Sequence, residues 1–495
     1  MLRLQMRPIR RIRPIGLIVL FVLSTATFAA DVTWDTIVRL TSNSASQITG
    51  YTGQHSVAVD ASGDVHVAWL DQRTVPYQIW YRRYDAGTST WLAETTLTTQ
   101  QANCSRPGIT CDSAGNVYLA WDVGTWNPLG VGVWSKRYNA TTHHWRADTL
   151  IDSTSTSQPQ QYPSAACIRG TGDVEVAWYG SPDTGMYSQV FLKERHPATG
   201  WDSAMQVSSS AVSHDQVSVA AGRNGDLAVV WIGKDFGNDY DQVYCRRRVG
   251  GTWQSVELVS DIPLALSQYS PCVTIDQRGA VHVVWHGRSM TNTYQQVFHR
   301  MRDSTGWSSI DSISGERVYQ QQNPSIACDV VGRCHAVWRS QAGGTNYQLA
   351  YGQRDTDGVW SSPAILTGLD SGNVSYPSIA CDSDSGINIV WYDNHTGNQD
   401  VYYLHGHTPG AGVSESHPSH PARPYVSATV ARGILFLPEA ATRKPQAASL
   451  MDAAGRRVLE LRPGANDFSR LSPGVYFIRF SAGGRVSTGR LTLVR

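Results

Sequence analysis

Charge is scarce in this chain. Of its 495 residues only 16% are Asp, Glu, Lys or Arg, against about 25% in an ordinary soluble domain. The 41 basic residues nearly cancel the 40 acidic ones, leaving a formal net charge of +1. So neutral a surface lacks the basic field that phosphates require, which excludes nucleic acid as a partner. Disorder is excluded on other grounds: 41% of residues are hydrophobic, too many for a chain that cannot bury a core. Beyond the N-terminus no run reaches the ~18 apolar residues of a membrane span, so the mature chain carries no membrane span. Short catalytic signatures are also missing: no nucleophile elbow, phosphate loop or zinc helix occurs.

The chain is rich instead in tryptophan, with 17 copies beside 22 tyrosines and 44 glycines. Tryptophan is usually held in a defined core slot, so this many points to one slot used repeatedly. Seven apolar runs end in tryptophan, at Trp69, Trp121, Trp178, Trp231, Trp285, Trp338 and Trp391, separated by 52, 57, 53, 54, 53 and 53 residues. A period near 50, rich in β-branched and aromatic residues with Asp/Gly turns, predicts the four-stranded blade of a β-propeller. A second tryptophan marks the fourth strand of a unit, at Trp91, Trp145, Trp201, Trp253, Trp307 and Trp360. The seventh unit lacks its copy, and Trp34 at the other end of the chain supplies it. The N-terminal segment should therefore complete the last blade and leave no open edge. The fold class expected is all-β: a seven-bladed β-propeller closed by the N-terminal strand, followed by a small C-terminal Ig-like β-sandwich. The two slots absorb all but Trp80, Trp126 and Trp134.

Residues 1–30 read as a signal peptide, with five arginines, an apolar run from Ile15 to Leu23 and small residues to Ala30. The propeller then spans 31–406, a Pro/Ser/His-rich linker 407–424, and a second β-rich unit 425–495. His405, His407, His417 and His420 have neither regular ligand spacing nor a carboxylate partner in sequence, so they read as linker and no metal or cofactor is expected. Cys111, Cys167, Cys328 and Cys381 recur at one point of the repeat and read as small buried packing residues. Cys328 and Cys334 also flank a turn across which a disulfide could form.

The C-terminal residues Asp452 to Val458, Leu471 to Phe477 and Thr488 to Arg495, with Gly455, Arg456, Pro473, Gly474, Tyr476 and Arg490 at their key points, resemble the type A sorting domain of type IX secretion. The resemblance implies a small β-sandwich read by an outer-membrane exporter, and hence a secreted or outer-surface protein of a Gram-negative-type bacterium. The Asn-Pro that commonly opens such domains is absent near Tyr425. The propeller is similar to the sialidase-type, BNR-repeat propellers, in stretches such as Tyr376 to Asp382 followed by Ile389 to Asp393. No copy has the full Asp-box of that family, so the resemblance implies a scaffold and not a reaction.

In a propeller, the loops entering the first strands share a face with those following the second strands. These are the long loops of this chain, and they place the candidate ligand-binding residues: Arg73, Asp122, Trp126, Tyr162, Tyr269, His286, Arg288, Arg339, Tyr376 and Asp393. Amides and phenols hydrogen-bond hydroxyls, and aromatic rings cover sugar faces. The leading reading is non-catalytic recognition of a glycan or surface partner. The first alternative is an exo-sialidase-like glycoside hydrolase, for which Arg73, Arg288 and Arg339 would have to converge on one carboxylate. The second is a structural surface or adhesion protein. No catalytic residue is assigned. Glu175, alone of its type in a Trp-bearing strand, reads as an inter-blade hydrogen-bonding residue.

Overall fold

A computed structural model describes residues 32–408 apart from 52, 125–131, 153–159, 183–186, 262–265, 290–291, 316–317, 343 and 369–370. Further on it describes 429–431, 434–437, 447–452, 456–461, 464–467, 471–472, 474–482 and 485–493. The expected signal segment, Trp126, Gly455 and Pro473 lie outside the described residues. The chain divides into two compact units, Met1–Ala411 and Gly412–Arg495.

The first unit is antiparallel β throughout its sheets, and no α-helix occurs among the described residues. Seven sheets of four to six strands follow one another in chain order, sheets 1 to 7. Their first strands are Val57–Val59, Cys104–Cys111, Gln160–Ile168, Asp215–Ala221, Gln268–Ile275, Gln321–Cys328 and Ser375–Cys381. Each first strand packs beside the first strand of the next sheet, and that of sheet 7 packs beside Val57–Val59, so the seven make a closed ring. This is β-propeller architecture.

The second strands carry the first tryptophan slot. All seven of these indoles are at most 1% exposed. A buried indole N–H needs an acceptor, and five are given one by the same sheet. Trp178, Trp285 and Trp338 donate to Gln160, Gln268 and Gln321 at 2.9, 3.0 and 2.6 Å, and Trp69 and Trp391 donate to Asp71 and Asp393 at 3.2 and 2.8 Å. The second slot is half-buried and faces the preceding sheet. Trp145 of sheet 2 meets Tyr81 of sheet 1, and Trp360 of sheet 6 meets His299 of sheet 5, with ring centroids 5.2 and 5.0 Å apart. Across the seam, Trp91 of sheet 1 meets Tyr403 of sheet 7 at 4.9 Å.

Trp34 does the same for sheet 7, lying 4.9 Å from Tyr351 of sheet 6. Thr33 and Trp34 pair with His407 and Gly406 on the last third strand, Asp400–His407, and Val38 pairs with Tyr403. A second inter-sheet tie uses charge. Arg82, Lys136, Lys193, Arg246 and Arg300, at one position of successive third strands, each reach a carbonyl of the preceding sheet at 2.6–2.7 Å. Such charge-assisted bonds are each worth about 1.5–3 kcal/mol.

Cys328 and Cys334 stand directly opposite in the ladder, with Cα atoms 4.0 Å apart, and are joined as a disulfide. The packing role expected for Cys328 thus gives way to a bond across the hairpin. Cys111 and Cys167 are free and buried. The second unit holds a five-stranded sheet, in the order Thr429–Ala431, Arg485–Leu493, Gly474–Ala482, Ala447–Met451 and Arg457–Leu461, and a two-stranded sheet of Ile434–Leu437 with Gly464–Asp467.

Candidate ligand site at one end of the axis

Every sheet departs from regular geometry at the same place. In sheet 3, three steps along the first strand from Gln161 to Ser164 oppose two along the second, from Tyr179 to Ala177. This is a one-residue bulge, a device that turns a side chain out of the strand's alternation. The residue inside it has positive φ, and its counterparts recur around the ring: His55 (44°), Arg106 (55°), Tyr162 (55°), Gln216 (52°), Ser270 (52°), Asn323 (53°) and Tyr376 (42°). Positive φ is uncommon outside glycine, and seven equivalent occurrences mark a built feature of this end of the axis.

In sheet 1 the bulge grows into a loop. Nine steps from Ile48 to Val57 oppose only three from Leu70 to Val67. The loop crosses the ring. A Cβ on Gly53, whose φ is +87°, would lie 3.0 Å from Ser218 Cβ and from the Val217 carbonyl of sheet 4, and 3.1 Å from the Pro271 carbonyl of sheet 5. On Gly50 it would collide with the Pro107 carbonyl of sheet 2. Glycine is required where backbones approach this closely. Beneath the loop lies an axial cavity of about 200 Å³ walled by all seven first strands. Burial lifts its thiols above their ordinary range, Cys167 to about 12, so they stay protonated at neutral pH.

The loop carries Tyr51 into a cluster of aromatic rings. Tyr51 lies 5.4 Å from Tyr162 and 4.5 Å from Tyr376, centroid to centroid. Tyr179 stacks behind Tyr162 at 5.2 Å and Tyr392 behind Tyr376 at 6.1 Å. Two arginines flank the rings. Arg106 holds Asp122 in a bidentate pair at 2.6 and 3.0 Å and lies over the Tyr162 ring at 4.1 Å. Arg339 lies over Tyr347 at 4.3 Å and donates to Gln322, which also accepts from the Tyr347 hydroxyl. Burial raises the Tyr51 and Tyr376 phenols, the latter to about 12, so both hydroxyls are neutral donors at neutral pH. Beside Tyr179, burial lifts the Asp215 carboxyl to about 6, and the nearby Asp241 adds to the shift. Its Oδ1 is buried without a protein partner.

The structure gathers Asp122, Tyr162, Tyr376 and Arg339, of the sequence candidates, into this cluster. Tyr269 and His286 form a neighbouring pair 5.7 Å apart. His286 is buried in a second strand and is pulled to about 3 by burial and by Arg339. Asp393 is also buried, bound to Trp391 and His395. Arg73 pairs with Asp71 and Glu94, both at 2.6 Å, over the Trp80 ring. Arg288 is exposed. Tyr51 and Arg106 are not among the candidates that the sequence offers, whereas Asp215 stands on one of the loops that enter the first strands. Arg106 had a signal, because Arg106-Pro107 stands in its repeat where Tyr162-Pro163 and Tyr376-Pro377 stand in theirs. Glu175 lies toward the other end of its strand and takes Arg248 of the next sheet at 3.1 Å.

No family model and no curated protein matches the sequence. Among solved structures, a polysaccharide lyase, Uly1, aligns with TM-score 0.52 at 9% identity, over 75% of this chain and 99% of that one. An ulvan lyase of family PL25 aligns with TM-score 0.49 at 10% identity, over 72% of this chain and 94% of that one. A Hadza microbial sialidase aligns with TM-score 0.42 at 12% identity, over 68% and 73%. At 9% identity the likeness to Uly1 is one of fold alone, the β-propeller.

Proposed function

We propose that this chain is an exported seven-bladed β-propeller that recognises a glycan, or a surface partner carrying one, on the Tyr51–Tyr162–Tyr376 cluster. The observation that carries the reading is the insertion of Tyr51, on a loop from sheet 1, between tyrosines of sheets 3 and 7. The cluster combines ring faces that pack against sugar C–H surfaces with phenols, Gln322 and two arginines that hydrogen-bond hydroxyl or acidic substituents. The ring of seven sheets supports the blade count.

The C-terminal unit, which we read as an Ig-like sorting domain over 425–495, supplies the route out of the cell. Its partner is the outer-membrane secretion machinery, and its destination the cell surface or the medium. The support is the residue pattern, with Gly474, Tyr476 and Arg490 on the hairpin formed by Gly474–Ala482 and Arg485–Leu493. Deleting Leu450 to Arg495 should strand the protein in the periplasm, and unchanged secretion would sink this part.

A glycoside hydrolase is a second reading of the same site, favoured by Asp215. A carboxyl lifted to about 6, with one oxygen unpartnered, suits proton transfer near neutral pH. Glycan-array profiling together with a fluorogenic sialoside separates the two. Binding without turnover, lost in Tyr51→Ala, supports recognition. Turnover lost in Asp215→Asn establishes an enzyme. Array binding that survives Tyr51→Ala and Tyr162→Ala overturns the site.

A further inference from the structure

At the seam of the ring, Asp35, just after the N-terminal strand, meets His405 and His407 on the last strand. His405 and His407 are two residues apart on one strand, so both side chains leave the same face. Their rings lie 4.4 Å apart. Asp35 Oδ2 is 3.4 Å from His405 Nδ1 and 3.2 Å from His407 Nε2. These three ligand atoms lie within 4.8 Å of one another.

We propose that Asp35, His405 and His407 bind a divalent transition-metal ion of the zinc type, which clasps the N-terminal strand to the last sheet. The separations suit the ion. With metal–ligand bonds of about 2.0–2.1 Å in a tetrahedron, ligand atoms stand about 3.3 Å apart. Two imidazoles and a carboxylate match the borderline-soft preference of zinc, cobalt and nickel and are poor ligands for calcium or magnesium. Three protein ligands leave a fourth position for water. The far nitrogen of His405 faces Asp382 Oδ2 at 3.7 Å. That carboxylate is fixed by the backbone N–H groups of Asp384 and Gly386 at 2.9 and 2.6 Å. A carboxylate behind a metal-bound histidine sets its tautomer and orientation. In sequence these histidines have no carboxylate partner nearby. The partner lies 372 residues away and only the closure of the ring brings it in.

The test uses the untagged full chain, stripped with chelator and titrated calorimetrically with zinc chloride. Four versions are compared: wild type, His407→Ala, Asp35→Asn, and a His417→Ala/His420→Ala pair that removes the linker histidines. The expected result is one zinc per chain and a higher Tm with zinc in the wild type and the linker pair, with both effects lost in His407→Ala and Asp35→Asn. Cobalt(II) should give the visible absorption of a tetrahedral ion in the wild type and the linker pair only. His407 is more than half exposed, so its replacement leaves the metal-free fold intact. That is checked by an unchanged Tm in chelator. Absence of stoichiometric binding, binding that survives His407→Ala, or binding lost with the linker pair each overturns the proposal.

Discussion

Ser164 donates through its hydroxyl to the Gly53 carbonyl at 2.6 Å, across the axis of the ring. The same oxygen accepts the Val219 N–H at 3.1 Å. One side chain of sheet 3 thus anchors both the loop that carries Tyr51 and the first strand of sheet 4. The tyrosine cluster and the ring therefore share a support.

Substituting Gly53 should damage both. Gly53→Ala places a Cβ at 3.0–3.1 Å from two backbone carbonyls at positive φ, at an expected cost of about 2–4 kcal/mol. Ser164→Ala should cost about 1–3 kcal/mol through the lost bond and the unpaired Val219 N–H. Urea unfolding measures both, and wild-type midpoints would disprove the anchoring role.

The tryptophan slots should dominate stability. Trp285→Ala is expected to cost about 3–5 kcal/mol. Gln268→Leu, which removes the indole's acceptor, should cost about 1–3 kcal/mol. The two touch, so the double variant should lose less than the sum. Strict additivity in denaturant melts would count against the Trp285–Gln268 bond.

Stability should fall with rising pH above neutrality, and Glu175 should be a cause. Burial, with Glu194 close by, lifts its carboxyl to about 9. The folded state therefore holds a proton that the unfolded chain has already released above about 4.3, so stability drains as pH climbs toward the folded value. Burial pulls His286 and His299 the other way, to about 3 and about 4. Their contribution is complete above about 6.5 and is lost as pH falls. Between pH 7 and 9 the carboxyl acts without them. Glu175→Gln should flatten the stability profile in that window, and an unchanged slope would refute the assignment.

Ligand binding should depend on ring faces before hydroxyls. Tyr162→Ala and Arg106→Ala should each weaken binding about tenfold or more, equivalent to about 1.4 kcal/mol. Tyr162→Phe keeps the face and should weaken it less. Titration with a glycan selected on the array decides. A larger loss in Tyr162→Phe than in Tyr162→Ala would reverse the order of contributions.

Much of this was legible because propellers repeat. Trp285 could be read as core, since six other copies share its place. Trp34 could be assigned to the far end of the chain, since one slot was vacant there. Tyr162 and Tyr376 were found from the loops they enter. What stayed hidden depends on juxtaposition across the ring. Tyr51 lies on a loop with no counterpart in the other repeats. Asp35 acquires meaning only beside His407. Arg73 looked equivalent to Arg339 in sequence, yet its own sheet supplies Asp71 and Glu94, which the sheet of Arg339 does not match. Periodicity reveals what recurs, whereas a site is assembled from the exceptions.

The position of the last strand bears on mechanical load. Asp400–His407 is the strand from which the chain leaves the ring toward the C-terminal unit. It is flanked on one side by Ile387–Asp393 and on the other by Thr33–Trp34 and Val38–Arg39. A pull along that strand strains the ladders on both flanks in shear, where many bonds must break together. Without the N-terminal segment it would be an edge strand, free to peel one bond at a time. Removing residues 32–39 should therefore lower the unfolding force in single-molecule pulling far more than its few hydrogen bonds suggest. The first residues of the ring thus act as a rivet on the strand by which the chain leaves it.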